Sequence, residues 1–280
     1  MGKMKQNLKY ILKNKLPKKE LKLVPSSFDV VGDIIIFSDF PKELAKKEKL
    51  IGLTILQNYP HIKTILKKTK KYSGKFRTPK LKAIAGEKRK ETSHKENEVF
   101  IKLDVEKVYF SPRMSSERKR IAELVKPNES ILVMFSGSGI YPLVIAKNTK
   151  CREVYGIEIN PIAHKYALEN IRKNRLENKI KLFLGDVRKV MPKLNKKFNK
   201  ILMPLPKGGE YFLDLALKYI KKKGIVHFYD FLHEDEFHKA EDKVKVACEK
   251  LNKKCRILNI VKCGQYSPRF YRVCVDFFVG

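Results

Sequence analysis

Residues 131–160, ILVMFSGSGIYPLVIAKNTKCREVYGIEIN, constrain the fold of this chain more than any other stretch. A β-branched and aliphatic run, Ile131 to Phe135, meets a glycine-bearing turn at Gly137-Ser138-Gly139. A helix-compatible segment follows, and a second apolar strand ends at Glu158. The pattern predicts a strand, a tight turn, a crossover helix and a parallel strand with a carboxylate at its tip. Turn glycines let the backbone approach a ligand with no Cβ in the way. Glu158 lies 19 residues past Gly139, near the spacing at which a βαβ unit offers an acid to a ribose diol. A nucleoside-bearing cofactor is the expected guest. Pro142 stands where the third glycine of a dinucleotide fingerprint belongs, which disfavours NAD and leaves S-adenosylmethionine as the better candidate.

The chain around this unit alternates. Helix is expected at 115–125, 141–148, 161–173, 187–192 and 208–221, and strand at 131–135, 153–158, 180–184, 199–203 and 224–230. That order predicts an α/β fold with a Rossmann-like, doubly wound parallel sheet. A helix over 234–252 and strands near 255–262 and 270–278 would close it. In such a sheet the ligand lies beyond the carboxyl ends of the strands. Three ends carry polar residues: the Gly137/Gly139 turn, Glu158-Ile159-Asn160-Pro161, and Leu184-Gly185-Asp186-Val187. An aspartate after the third strand can accept from an adenine amino group while a neighbouring N–H donates to the ring. Glu158 and Asp186 could each simply cap the next helix. Two such acids in register with a glycine turn favour the binding reading. The fourth strand ends in Met203-Pro204-Leu205-Pro206, whose prolines stiffen the backbone beside the pocket.

The first hundred residues read as a small α+β module on an antiparallel sheet. Its elements are a basic helix at 5–18, a hairpin over 28–37 with a Gly-Asp turn, a helix over 41–58, and strands near 61–66, 81–85 and 98–103. Between them KKTKKYSGKFR (67–77) has six basic residues in eleven, with Tyr72 and Phe76 interleaved around a flexible Ser73-Gly74. Lys67, Lys68, Lys70, Lys71 and Arg77 could neutralise phosphates while the aromatics face bases; the alternative is a solvated lysine loop. A further strand is expected at Val105 to Phe110, broken by Ser111-Pro112-Arg113 and followed by a helix that Ser115 or Ser116 could cap. The domain junction is placed there, giving a module over 1–107 and a cofactor domain over 108–280. Tyr109, Phe110 and Arg113 would lie at that junction, either as a stacking surface for an RNA base or as packing.

Charge narrows the partner. The chain has 62 Lys and Arg against 30 acids, a formal net charge of +32, and such a field attracts polyanions, nucleic acid first. A uniformly lysine-rich surface is the bland alternative. Five cysteines with no C-x-x-C pair suggest buried structural thiols in a reducing cytoplasm, with neither a zinc site nor a disulfide framework. No signal peptide or membrane span is evident, so a cytoplasmic protein acting as a single chain is expected.

The segments VYFSPRMSSERKRIAELV (108–125), FSGSG (135–139), EINP (158–161), GDVR (185–188) and MPLPK (203–207) resemble the archaeal and eukaryotic family that modifies the base at position 37 of tRNA. So do SFDVVGDIIIF (27–37) and RTP, AGE and ETSHKENE within 77–98, so the likeness covers nearly the whole chain. The family includes the tRNA guanine-37 N1-methyltransferases and the wyosine-pathway aminocarboxypropyltransferase, both built on a class I methyltransferase-type domain behind a tRNA-contacting module. The resemblance implies that Glu158, with Asn160 beside it, holds the ribose of S-adenosylmethionine, and that Asp186 with Val187 holds the adenine. Ser116 and Arg118 would lie near its methionine end, and Glu117 matches the methyltransferases' presumed general base. Two departures separate the relatives. The methyltransferases carry Asp before the M-F of the first turn, where this chain has Val133, and Asn in M-N-L-P, where it has Pro204. The separate N-terminal domain common in those methyltransferases is also missing from this sequence. These differences favour aminocarboxypropyl transfer to 4-demethylwyosine in the anticodon loop of phenylalanine tRNA over guanine methylation, with Glu117 and Arg113 as catalytic candidates and no metal. His94 is expected either at the surface or in the tRNA contact.

Overall fold

The computed structural model describes residues 8–280, excepting the side chains of 71–73. The chain forms two compact units, one of residues up to Lys95 with Ile101–Pro112, the other of Glu96–Phe100 with Arg113–Gly280. The junction therefore falls after Pro112 and not after residue 107. Val105–Phe110 is not a strand: Asp104 Oδ1 accepts the N–H groups of Glu106 at 2.8 Å and Lys107 at 3.1 Å, curling the segment into a turn. Its apolar residues are buried for another reason, since Val105 and Val108 are core and Phe110 packs on the His94 ring at 5.2 Å.

In the first unit, α1 (Leu8–Leu12) and α2 (Lys18–Leu23) replace the single helix expected at 5–18, with Pro17 at the start of the second. Residues 5–7 of that expectation lie outside the described residues. Strands β1 (Asp29–Val31) and β2 (Ile34–Phe37) form the expected hairpin. Gly32 at its turn has φ +57°, and a Cβ there would meet the Ser93 carbonyl oxygen at 2.2 Å. Helix α3 (Glu48–Asn58) carries the chain back, so β3 (Thr64–Ser73) lies parallel to β2, and β4 (Thr78–Gly86) returns antiparallel. The sheet is thus mixed, because a helical crossover returns the chain to the end where β2 began. Ile35, Phe37, Ile51, Ile55 and Ile65 form its core. The basic stretch 67–77 is not a flexible loop: it runs in β3 as far as Ser73, and only residues 74–77 turn.

A second hairpin joins β5 (Glu91–Glu96) to β6 (Val99–Asp104) through Asn97 (φ +42°) and Glu98 (φ +62°), the two positive values of a type I′ turn. Every second residue of β5 is buried, yet these are Thr92, His94 and Glu96, so a hydrophobic pattern never announces it.

The second unit is the expected α/β layer, built from α4 (Ser115–Glu123), β7 (Ser130–Val133), α5 (Ile140–Asn148), β8 (Glu153–Glu158), α6 (Pro161–Lys173), β9 (Ile180–Leu184), α7 (Val187–Val190), β10 (Phe198–Met203), α8 (Leu213–Tyr219), β11 (Ile220–His233), α9 (His238–Lys250), β12 (Cys255–Ser267) and β13 (Phe270–Val279). The order across the sheet is β12-β13-β11-β10-β7-β8-β9. Pairs from β11 to β9 are parallel, and β13 runs antiparallel to both β11 and β12. The direction of winding reverses between β7 and β10, which puts a crevice at the carboxyl ends of those two strands. Leu132, Ile157, Ile201, Phe228 and Phe277 fill the layer beneath it. The cysteine expectation is corrected at one pair: the sulfurs of Cys248 and Cys255 are bonded, because the end of α9 leads straight into β12 and brings them together. Cys151 and Cys274 are buried thiols, as expected of them.

Candidate cofactor and acceptor site

β7 gives way to the Phe135–Gly139 turn, which the neighbouring strands anchor. Ser136 N–H donates to the Ile157 carbonyl at 2.9 Å, and Asn170 Nδ2 donates to the Ser138 carbonyl at 3.1 Å. Gly137 (φ +56°) and Gly139 (φ +83°) are both left-handed, and a Cβ on Gly139 would press on that of Ala167 at 3.2 Å. Glu158 does not cap its helix. Its carboxylate accepts from Gly137 N–H at 2.6 Å and Asn160 N–H at 2.7 Å, which ties the glycine turn to the tip of β8. Burial raises its pKa above the ordinary carboxylate value, against the pull of those backbone donors. Asn160 caps α6, accepting from Ile162 N–H at 3.0 Å and Ala163 N–H at 3.4 Å. Asp186 caps α7 by accepting from Arg188 N–H at 2.8 Å, while Val187 is buried behind it.

Two buried hydroxyls, Ser136 Oγ and Ser138 Oγ, have no hydrogen-bond partner among the described residues. Beside the turn stands an aromatic wall that the sequence did not reveal: Phe135 and Phe212 meet edge to face at 5.1 Å, and the Arg188 guanidinium lies 4.1 Å from the Phe212 ring. Glycine turn, carboxylate and apolar wall fit a nucleoside with a charged amino-acid end.

Across the crevice the chemistry changes. At the end of β10 the Leu205 N–H donates back to the Met203 carbonyl at 2.7 Å, closing a tight turn around Pro204. Behind it Tyr141 Oη donates to Tyr229 Oη at 3.1 Å, and Tyr229 Oη donates to Glu117 Oε1 at 2.7 Å. Arg120 grips Glu117 through two 2.7 Å bonds and reaches Asp276 at 2.6 Å. His227 Nδ1 lies 2.6 Å from Asp276 Oδ1, with Cys274 Sγ 3.3 Å from the same oxygen. Burial opposes ionisation of Asp276, yet His227 and Arg120 hold its pKa well below the usual range. His227, Cys274 and Asp276 are close enough to share a cation, but the guanidinium of Arg120 already occupies that carboxylate.

The other expected residues are distributed as follows. Ser115 and Ser116 lie inside α4 and give no side-chain cap; Met114 precedes the helix. Ser116 and Arg113 are exposed. Arg118 is buried, its guanidinium donating to both Glu96 oxygens, one at 2.6 Å. Glu117 is buried too, at 4% exposure. In the first unit Lys67 pairs with Glu48 and Lys68 donates to Ser38 Oγ at 3.1 Å, while Lys70 is exposed and Arg77 half-buried in the turn. The side chains of Lys71 and Tyr72 lie outside the described ones. Tyr109 is 37% exposed. His94 is not at the surface: it is buried, and its Nδ1 accepts the Gly32 N–H at 3.2 Å, supporting the β1–β2 turn.

Residues 8–89 match the TYW2 N-terminal domain, and residues 92–258 match the TRM5/TYW2 methyltransferase domain. The tRNA (guanine(37)-N(1))-methyltransferase Trm5b of Pyrococcus abyssi is 36% identical over 266 residues, 95% of this chain and 78% of the relative. The tRNA(Phe) (4-demethylwyosine(37)-C(7)) aminocarboxypropyltransferase of Methanocaldococcus jannaschii is 33% identical over 250 residues, 89% of this chain and 96% of the relative. Among solved structures, P. horikoshii TYW2 in complex with MeSAdo superposes with a TM-score of 0.82 at 27% identity, covering 97% of both chains. With both units matched in order and the glycine turn, Glu158 and Asp186 at the carboxyl edge of the sheet, this chain belongs to the TRM5/TYW2 family.

Proposed function

We propose that this protein transfers the 3-amino-3-carboxypropyl group of S-adenosylmethionine to carbon 7 of 4-demethylwyosine at position 37 of tRNA(Phe). The observation that carries this reading is the end of β10, where Pro204 sits in a closed turn and offers neither a side-chain acceptor nor an N–H to a ring nitrogen. A guanine N1 must lose its N–H proton to become the nucleophile; a ring carbon attacks through its π electrons and loses its proton to water afterwards, so it needs no acceptor aligned on its edge beforehand. The likeness of residues 8–89 to the TYW2 N-terminal domain supports the same choice.

Glu158 would hold the ribose hydroxyls, preset by the Gly137 and Asn160 N–H groups. Asp186 and the Val187 N–H would hold the adenine edge. Val133 leaves the β7 tip without a carboxylate to draw the amino group inward. When bound, S-adenosylmethionine would supply a γ-carbon open to in-line displacement by C7, methylthioadenosine leaving with the C–S bonding pair and the C7 proton passing to water. Glu117 has both oxygens engaged by Arg120 and Tyr229, so it fixes the crevice floor in this structure rather than presenting an open acceptor. Basic β3 and β4 would track tRNA phosphates.

A second reading, guanine N1-methylation, is favoured by the 36% identity to a Trm5b. A two-label assay separates them. Partly modified tRNA(Phe) is offered S-adenosylmethionine labelled in the methyl group or in the methionine carboxyl. Carboxyl label on tRNA, with methylthioadenosine released, is expected; methyl label on tRNA overturns the reading. Val133→Asp with Pro204→Asn should weaken arm transfer, and unchanged transfer removes those positions from the argument.

A further inference from the structure

Strand β11 does not stop where the parallel sheet stops. Met203, the last residue of β10, pairs with Phe228, and β11 continues from Tyr229 to His233 paired with β13. β12 keeps pace through Ser267, opposite Phe270. At roughly 3.3 Å per residue these strands rise about 16 Å past the carboxyl edge as a three-stranded wing. Cross-strand pairing puts Tyr229 with Cys274, Phe231 with Arg272 and His233 with Phe270 on one face. At its base that face holds the buried Tyr229–Glu117 bond. Toward its tip it becomes aromatic and open.

There the Phe231 ring lies 4.5 Å from Tyr266 and 5.0 Å from the Arg272 guanidinium, and His233 and Phe270 meet at 5.2 Å. Tyr266 is 63% exposed and Phe270 42%. Large rings left in water beside a guanidinium are the composition of a stacking platform for unpaired nucleobases, each of which has a π-face to offer. The chain's net charge of +32 suits a polyanion, and the platform is continuous with the strand that floors the acceptor side of the crevice. Arg269 at the wing's tip is already paired with Glu234 and Asp235, so stacking rather than charge would supply most of the contact.

We propose that this wing, through Tyr266, Phe231 and Phe270, stacks single-stranded RNA bases flanking the one that reacts. The inference deepens the proposed function and rests on its tRNA substrate. The test uses the full chain and tRNA(Phe) carrying 2-aminopurine next to position 37, whose fluorescence falls when the base stacks. Wild-type protein should quench it. Tyr266→Ala should weaken tRNA binding about tenfold and relieve the quench, Phe270→Ala should do so less, and Tyr266→Phe should do neither. The loss should persist at raised salt, which a phosphate contact would not. Tight binding and full quenching by Tyr266→Ala overturn the wing while leaving the tRNA reading intact. Wild-type protein that binds no tRNA overturns both.

Discussion

The two sides of the crevice solve different problems with different materials. On the β7–β8–β9 side the groups are backbone amides, two left-handed glycines and acids at strand tips, and Glu158 reaches its donors Gly137 and Asn160 within 21 residues of chain. On the β10–β11–β13 side the groups are side chains brought from afar: Tyr229 meets Glu117 across 112 positions, and Arg120 meets Asp276 across 156. The first side is a cradle of backbone and strand-tip groups fixed by local chain geometry. The second is a network in which Arg120, Tyr229 and His227 meet the carboxylates of Glu117 and Asp276, while His227 Nε2 is left buried with no partner among the described residues. Binding should therefore be fragile on one side and stability on the other.

Arg120→Ala breaks the comparison hardest. It removes the cation shared by two buried carboxylates, leaving Glu117 with Tyr229 and Asp276 with His227, and should cost on the order of 3–5 kcal/mol of unfolding free energy in urea titrations. Glu158→Gln keeps only one of the two acceptors that hold the Gly137 and Asn160 N–H groups, so it should cost less, about 1–3 kcal/mol in urea, and should weaken S-adenosylmethionine binding by about 1.5–3 kcal/mol, read by calorimetry. If the first variant were as stable as wild type and the second unfolded, the assignment of roles would be reversed. Gly139→Ala places an L side chain at φ +83° for about 1–2 kcal/mol, visible as a lower Tm.

Acid sharpens the contrast. Asp276 titrates below its ordinary value, so its stabilisation is present above the unfolded pKa near 3.8 and is lost as pH falls through the folded one. Glu153 behaves likewise: burial opposes its ionisation, but Lys196 and Ser130 bring its pKa down to about 2, and its share disappears as pH falls from the ordinary 4.5 toward that value. Glu158 has the opposite sign. Its raised pKa contributes stability below the ordinary 4.5 and loses it as pH rises through the folded value. Urea titrations across acid pH should show Asp276→Asn flattening the acid loss and Glu158→Gln steepening it. The smallest effect is Lys70→Ala, which should lower the salt slope of tRNA binding by about 0.7–0.9 if that lysine meets one phosphate.

Legibility followed the same division. The glycine turn, Glu158, Asp186 and the strand–helix alternation could be read because each depends on spacing within one βαβ unit. The strand ETSHKE could not, since its buried residues are polar and their partners, Gly32 for His94 and Arg118 for Glu96, lie elsewhere in the chain. VEKVYF misled in the other direction: its apolar residues are buried, but an aspartate side chain bends the backbone out of the strand. The Cys248–Cys255 bond was missed because its spacing matches no familiar motif and only the path from α9 into β12 closes it.

By itself the sequence determined the parallel layer, the glycine turn after β7, the acids at the next two strand tips and the basic character of the chain. Local spacing and φ preferences are enough to specify these. Only the tertiary structure decided that Glu117 is clamped, that Arg118 is spent on Glu96, that His94 is interior, and that an aromatic wing rises over the carboxyl edge. Each of those depends on which side chains meet after the sheet has closed, and long-range pairing leaves no fixed period in a sequence.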